Sequence, residues 1–238
     1  MGISSVRSTT LNSVKSTGFI EAGGGAISQI TSGGISYKVH TFIDLETENL
    51  CLSFINNRPW QCGMIKVKGN EVLETSDIYI KWDKPINVSR EAAQITRFDQ
   101  YKYNKIAIHS SEAIKTIAQW LENCDYIIGH NILNFDMYLI KDYYEMYGKG
   151  WKHLVSKVID TNCLAKGIKY EIPYSQEMSL IEYQYRVLNE RRKGVKTNLT
   201  SLGKEYSIEH DYETLHDALN DLHLNIKVWN RLKFQIAV

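Results

Sequence analysis

A chain of 238 residues, 43% hydrophobic and 11% aromatic, is long enough to bury a sizeable core and fits one large domain or a domain with extensions. With 28 Lys and Arg against 27 Asp and Glu, no overall charge excess attracts a polyanion, so any such affinity has to come from local charge. No apolar run reaches the ~18 residues of a membrane span. The four cysteines lie too far apart for a zinc site or a disulfide framework, so reduced thiols in a cytoplasmic compartment are expected.

Residues 1–37 include EAGGGAISQITSGGIS, where Gly and Ser raise the entropic cost of ordering and few large apolar side chains offset it. A flexible arm is expected there, lacking the apolar centre of a secretory signal. Next, YKVHTFIDLE reads as a strand. PWQCGMIKVKGNEVLETSDIYIKW reads as two more turning at Gly69-Asn70, the three forming an antiparallel meander. Ser110 or Ser111 then caps a predicted helix whose stripe is Ala113, Ile114, Ile117, Ala118 and Leu121.

DYIIG follows as a short buried strand, and a helix starts near Asn134, with Asn131 as its expected cap and Leu139, Ile140 and Tyr143 as its stripe. KVIDT is another short strand. NLTSLGKEYSI and HDALNDLHLNIKVWNRLKF show helical spacing, the second with Leu215, Leu219, Leu222, Ile226 and Trp229 in line. Sheet-forming runs followed by alternating helices and short strands indicate an α/β domain with a mixed sheet.

Three segments carry acids that need an account. FIDLET puts Asp44 and Glu46 on one face of a strand, where like charges raise each other's pKa unless a cation sits between them. A solvated strand face gives the same pattern. GHNILNFD places Asp136 in a first helical turn, which the helix dipole alone favours. In HDALND, Asp221 borders the apolar stripe, whereas His216 lies roughly 140° from it on a continuous helix. His216 is therefore expected in the preceding loop or first turn.

In this order IDLET, GHNILNFD, IDTNCLA and HDALND resemble the DEDDh family of 3′ to 5′ exonucleases, related to bacterial proofreading subunits and ribonuclease T, from Val39 to near Leu232. The resemblance implies a ribonuclease H-like α/β fold, a mixed β-sheet flanked by α-helices, over residues 38–238 with an insertion near 171–197. It implies that Asp44, Glu46, Asp136 and Asp221 hold two divalent ions, Mg²⁺ or Mn²⁺, which prefer hard oxygen ligands. Asp44 would bridge both, Glu46 and Asp221 would hold the water-activating ion, and Asp136 would act directly or through water. His216 would be the general base. The sister subgroup carries tyrosine four positions before the last acid, where this chain has Asp217. Asp160, in the DT pair, reads as structural.

The same resemblance assigns Thr47, His130, Asn131 and Phe135 to substrate contact, although Phe135 reads equally as core and Asn131 as a cap. Arg191, Arg192, Lys193 and Lys196 are either phosphate contacts, with Tyr183 and Tyr185 available for stacking, or a solvated helix end. The implied reaction is hydrolysis at the 3′ end of DNA, releasing nucleoside monophosphates. Single-stranded DNA or DNA 3′ ends are the implied partner, with a polymerase or replisome as a further candidate and no membrane. RNA trimming and a non-catalytic nucleic-acid-binding module are the alternatives. The presence of all five catalytic-type residues argues against the second.

Overall fold

The structure is a computed structural model that describes residues 38–52, 57–175 and 177–235. The arm expected over residues 1–37 lies outside them. Strands β1 (Val39–Thr47), β2 (Pro59–Lys68) and β3 (Glu71–Lys81) form the anticipated meander, with Gly69 at φ 64° in the turn between the last two. Helices α1 (Arg90–Thr96) and α2 (Gln100–Ile106) follow, then β4 (Ile108–His109), α3 (Ser110–Glu122), β5 (Tyr126–Gly129), α4 (Asp136–Met146), α5 (Lys152–Val155) and β6 (Val158–Asp160). The described part closes with α6 (Thr161–Lys169), α7 (Leu180–Leu188), α8 (Leu199–Glu205) and α9 (Ala218–Leu232).

The sheet order is β4-β3-β2-β1-β5-β6, and β1 runs antiparallel to β2 and parallel to β5. Being central, β1 is covered on both faces. Helix α3 covers the Thr41, Ile43 and Leu45 side, where the Thr41 hydroxyl donates to the Trp120 carbonyl at 3.2 Å. Helix α4 is tied to α3 through the Tyr143 hydroxyl, which donates to the Ser110 carbonyl. On the opposite face lies α9, with the His40 and Trp229 rings edge-on at 6.2 Å.

Several local readings are corrected. Helix α3 is capped by His109, whose ring accepts the Ser111 amide, while Ser110 is buried against the Tyr147 hydroxyl. Asn131 is no helix cap: it sits in a left-handed turn at φ 65°, and α4 begins at Asp136 with no side-chain cap. The buried face of α9 runs through Ala218, Leu222, Asn225 and Trp229, with Leu224, Val228 and Leu232, leaving Leu219 and Ile226 half-buried. The reason is Gly63, whose missing side chain lets Ala218 seat directly on the sheet. Tyr183 is core and cannot stack on a base, its hydroxyl packed on Gly167 and donating to the Ile172 carbonyl at 2.7 Å. Tyr185 remains half exposed.

Candidate active site

The site begins where strand pairing stops. The β1–β5 ladder registers only through Phe42 and Ile128, and β5 ends at Gly129. Beyond that point the Leu45 amide needs another acceptor, because a buried peptide group left unpaired is costly. Asp136 supplies it: its Oδ1 accepts from the Leu45 amide at 3.0 Å. One acid is thereby fixed to the backbone between Asp44 and Glu46.

Asp160 sets the path from β5 to Asp136. Fully buried at the end of β6, its carboxylate caps α6 by accepting from the Asn162 and Cys163 amides. It also accepts from the amides of Asn131 at 2.9 Å and Leu133 at 3.1 Å. Four backbone donors on one side chain hold the 130–135 turn against β6, which gives Asp160 a structural task.

The remaining acid arrives on α9. Asp44 pairs with Gly63 across the antiparallel ladder, so the two share a face, and Ala218 rests on Gly63. One turn on from Ala218 stands Asp221. Carboxylate oxygens of Asp44, Glu46 and Asp221 all lie within 4.8 Å of one another, and Asp136 is outside that set. Burial, and then the mutual repulsion of the acids, pushes the Asp44 carboxyl well above its usual range. Glu46 is pushed up to about 8 by burial and then by Asp221, Asp136 and Asp217. Burial carries Asp136 up to about 7 despite its bond from Leu45. Among the described residues no Lys or Arg forms an ion pair with any of these acids.

His216 lies before α9 in a left-handed conformation, φ 69°, exposed at the cleft lip, and its backbone amide donates to Asp221 Oδ1 at 3.1 Å. The cleft above the acids has a volume of about 450 Å³ and is lined by all four residues assigned to substrate contact. Thr47 is there, but its hydroxyl is already donated to the Asn49 carbonyl at 2.6 Å. His130 contacts the Thr161 hydroxyl through Nδ1 at 3.0 Å, and burial lowers its pKa to about 4. The Asn131 side-chain oxygen accepts from Asn134 and Asn162. Phe135, half-buried, packs against the core and also lines the cleft. Sequence reasoning missed Leu50, 49% exposed, and Ile95, 40% exposed, which line the cleft with Phe135. Helix α1, which carries Ile95, shows no strong apolar period, and Leu50 has no signal besides its place just after FIDLET.

Acids gathered where the central strand of a mixed sheet outruns its parallel neighbour define a ribonuclease H-like α/β protein of the nuclease class. The chain belongs to the RNase T family, described as Exonuclease, which matches residues 41–229. Among solved structures it is similar to E. coli Exonuclease I in complex with a dT13 oligonucleotide, with a TM-score of 0.62 at 19% identity. That match covers 83% of this chain and 41% of the other. The zinc-bound E. coli ExoI–ssDNA complex matches with a TM-score of 0.62 at 18% identity, covering 80% of this chain and 39% of that one. This chain thus spans about two fifths of the length of these structures. No curated protein sequence matches it.

Proposed function

We propose that the chain is a divalent-metal-dependent 3′ to 5′ exonuclease that removes nucleotides from the 3′ end of single-stranded DNA. One observation carries this reading: three largely covered carboxylates, Asp44, Glu46 and Asp221, converge within 4.8 Å at the cleft floor, with no Lys or Arg paired to them among the described residues. Such a set is costly without a counter-charge and offers the hard oxygen donors that suit Mg²⁺ or Mn²⁺. Asp44, Glu46 and Asp221 would hold the metal, with Asp136 completing the acidic set. When bound, a pair of such ions stabilises charge on the attacking and leaving oxygens of an in-line displacement.

The protein's own groups supply the rest. His216, whose backbone is tied to Asp221, accepts the proton of the attacking water through its imidazole. Leu50, Ile95 and Phe135 offer apolar surface to a terminal base, a mode of contact that favours unpaired strands. DNA as substrate is supported by the dT13 oligonucleotide bound to E. coli Exonuclease I.

The test uses matched single-stranded and duplex DNA and RNA, labelled at either end, with Mg²⁺ or Mn²⁺ and with EDTA. Stepwise shortening from the 3′ end of single-stranded DNA, abolished by EDTA and by Asp44→Ala, is expected. Absence of metal-dependent cleavage of any strand would overturn the enzyme reading, and preferential RNA trimming would replace the substrate.

A further inference from the structure

Within six residues, Arg191, Arg192, Lys193 and Lys196 place four cations with no intervening acid. All four are exposed, and none forms an ion pair with a carboxylate among the described residues. The segment is nevertheless held in place. The Arg192 amide donates to the Tyr170 hydroxyl at 3.3 Å, the Arg192 guanidinium lies over that ring at 5.0 Å, and Lys169 donates to the Lys196 carbonyl at 2.8 Å. Gly194, at φ 84°, makes the turn between them. The next residue, Thr197, brings its backbone to the His130 ring on the cleft rim.

Three cations on the neighbouring segments already have partners. Arg58 is paired with Glu48 at 2.8 Å, and Lys102 lies over the Tyr79 ring beside Asp77 and Asp217. Arg97 donates to the Glu213 carbonyl. The cleft floor is acidic, so phosphates outside it are drawn to whichever rim carries free positive charge.

We infer that the 190–197 loop is the track for the phosphate backbone of the substrate strand as it leaves the cleft past His130. The inference rests on the exonuclease reading and deepens it. Nucleotides upstream of the 3′ terminus lie along Arg191, Arg192, Lys193 and Lys196, so long strands gain affinity that very short ones do not.

The test compares the wild type with a variant carrying Arg191→Gln, Arg192→Gln, Lys193→Gln and Lys196→Gln. Two of the loop's anchors, at Arg192 N and at the Lys196 carbonyl, are backbone atoms and survive these changes, whereas the Arg192 guanidinium's contact with the Tyr170 ring is lost. Hydrolysis of an oligothymidylate of about twenty nucleotides and of a trinucleotide is followed between about 50 and 200 mM salt. For the long strand, KM is expected to rise roughly tenfold, and the slope of log affinity against log salt to shrink by about 2–3, at about 0.7 for each phosphate no longer neutralised. Trinucleotide kinetics are expected to stay unchanged. An unaltered long-strand KM and salt slope would overturn the track, as would equal losses on both substrates. A wild type that cleaves neither substrate would instead overturn the exonuclease reading, and anisotropy with the labelled long strand would still read the loop's part in binding.

Discussion

Gly63 faces Asp44 across the antiparallel ladder, and a Cβ on Gly63 would fall 2.9 Å from the Cβ of Ala218 and 3.1 Å from its backbone carbon. The missing side chain is what lets α9 lie on the strand pair and deliver Asp221 to Asp44. In Gly63→Ala, α9 must shift because part of what the methyl meets is backbone. A loss of about 1–3 kcal/mol of stability is expected from overpacking. Mn²⁺ affinity, measured by calorimetry, is expected to fall about 10–100-fold, as when groups that orient metal ligands are disturbed. Unchanged affinity would mean that Asp221 does not depend on this seat.

Raised acid pKa values make the metal-free fold sensitive to alkali. Glu46 rises from 4.5 to about 8 and Asp136 from 3.8 to about 7, so between those limits the folded chain binds more protons than the unfolded one. Stability is then greatest below about pH 4 for these groups and is lost as pH rises through their folded values. In EDTA the melting temperature is expected to fall between pH 5 and pH 8, most steeply below about pH 7, where both groups hold a proton only in the folded chain, and to level off above about pH 8. Saturating Mn²⁺ is expected to offset that fall by linkage. A flat or rising profile in EDTA would contradict the uncompensated charge inferred for the site.

Removing the His216 imidazole is expected to separate proton transfer from metal binding. His216→Ala is expected to slow turnover by about 10²–10⁴-fold while leaving Mn²⁺ affinity close to wild type, because the bond from residue 216 to Asp221 is made by the backbone. A fall in metal affinity matching that of Asp44→Ala would show that the ring supports the acids themselves.

Asp160 carries the turn on which the cleft depends. Asp160→Ala leaves the amides of Asn131, Leu133, Asn162 and Cys163 without their common acceptor, and a loss of about 3–5 kcal/mol in denaturant unfolding is expected. Loss below 1 kcal/mol would mean that other acceptors or water replace the carboxylate.

The strands were legible because alternation and turn residues are local: the three-strand meander, the Gly69 turn and the two short parallel strands all stand where pattern placed them. The mixed sheet followed from their order, and its ribonuclease H-like character from the resemblance carried by the four motifs. Asp44, Glu46 and Asp221 were readable as a group only through the spacing of four motifs, since each acid alone suits a strand face or a helix start. Other features depended on packing between distant segments. The rotation of α9 about its axis is set by Gly63, not by the periodicity of α9. Tyr183 looked like surface until Gly167 gave it a buried seat. Asn131 looked like a cap because an Asn before a helix usually is one, whereas here its amide serves Asp160, 29 residues further on.

The Leu45 amide joins the middle of the sheet to Asp136. The acidic cluster and the scaffold therefore share a hydrogen bond, and neither can loosen alone. Slow exchange of that single amide proton, protected until the whole molecule opens, would mark the acid site as part of the folding unit itself, where an appended loop would breathe independently.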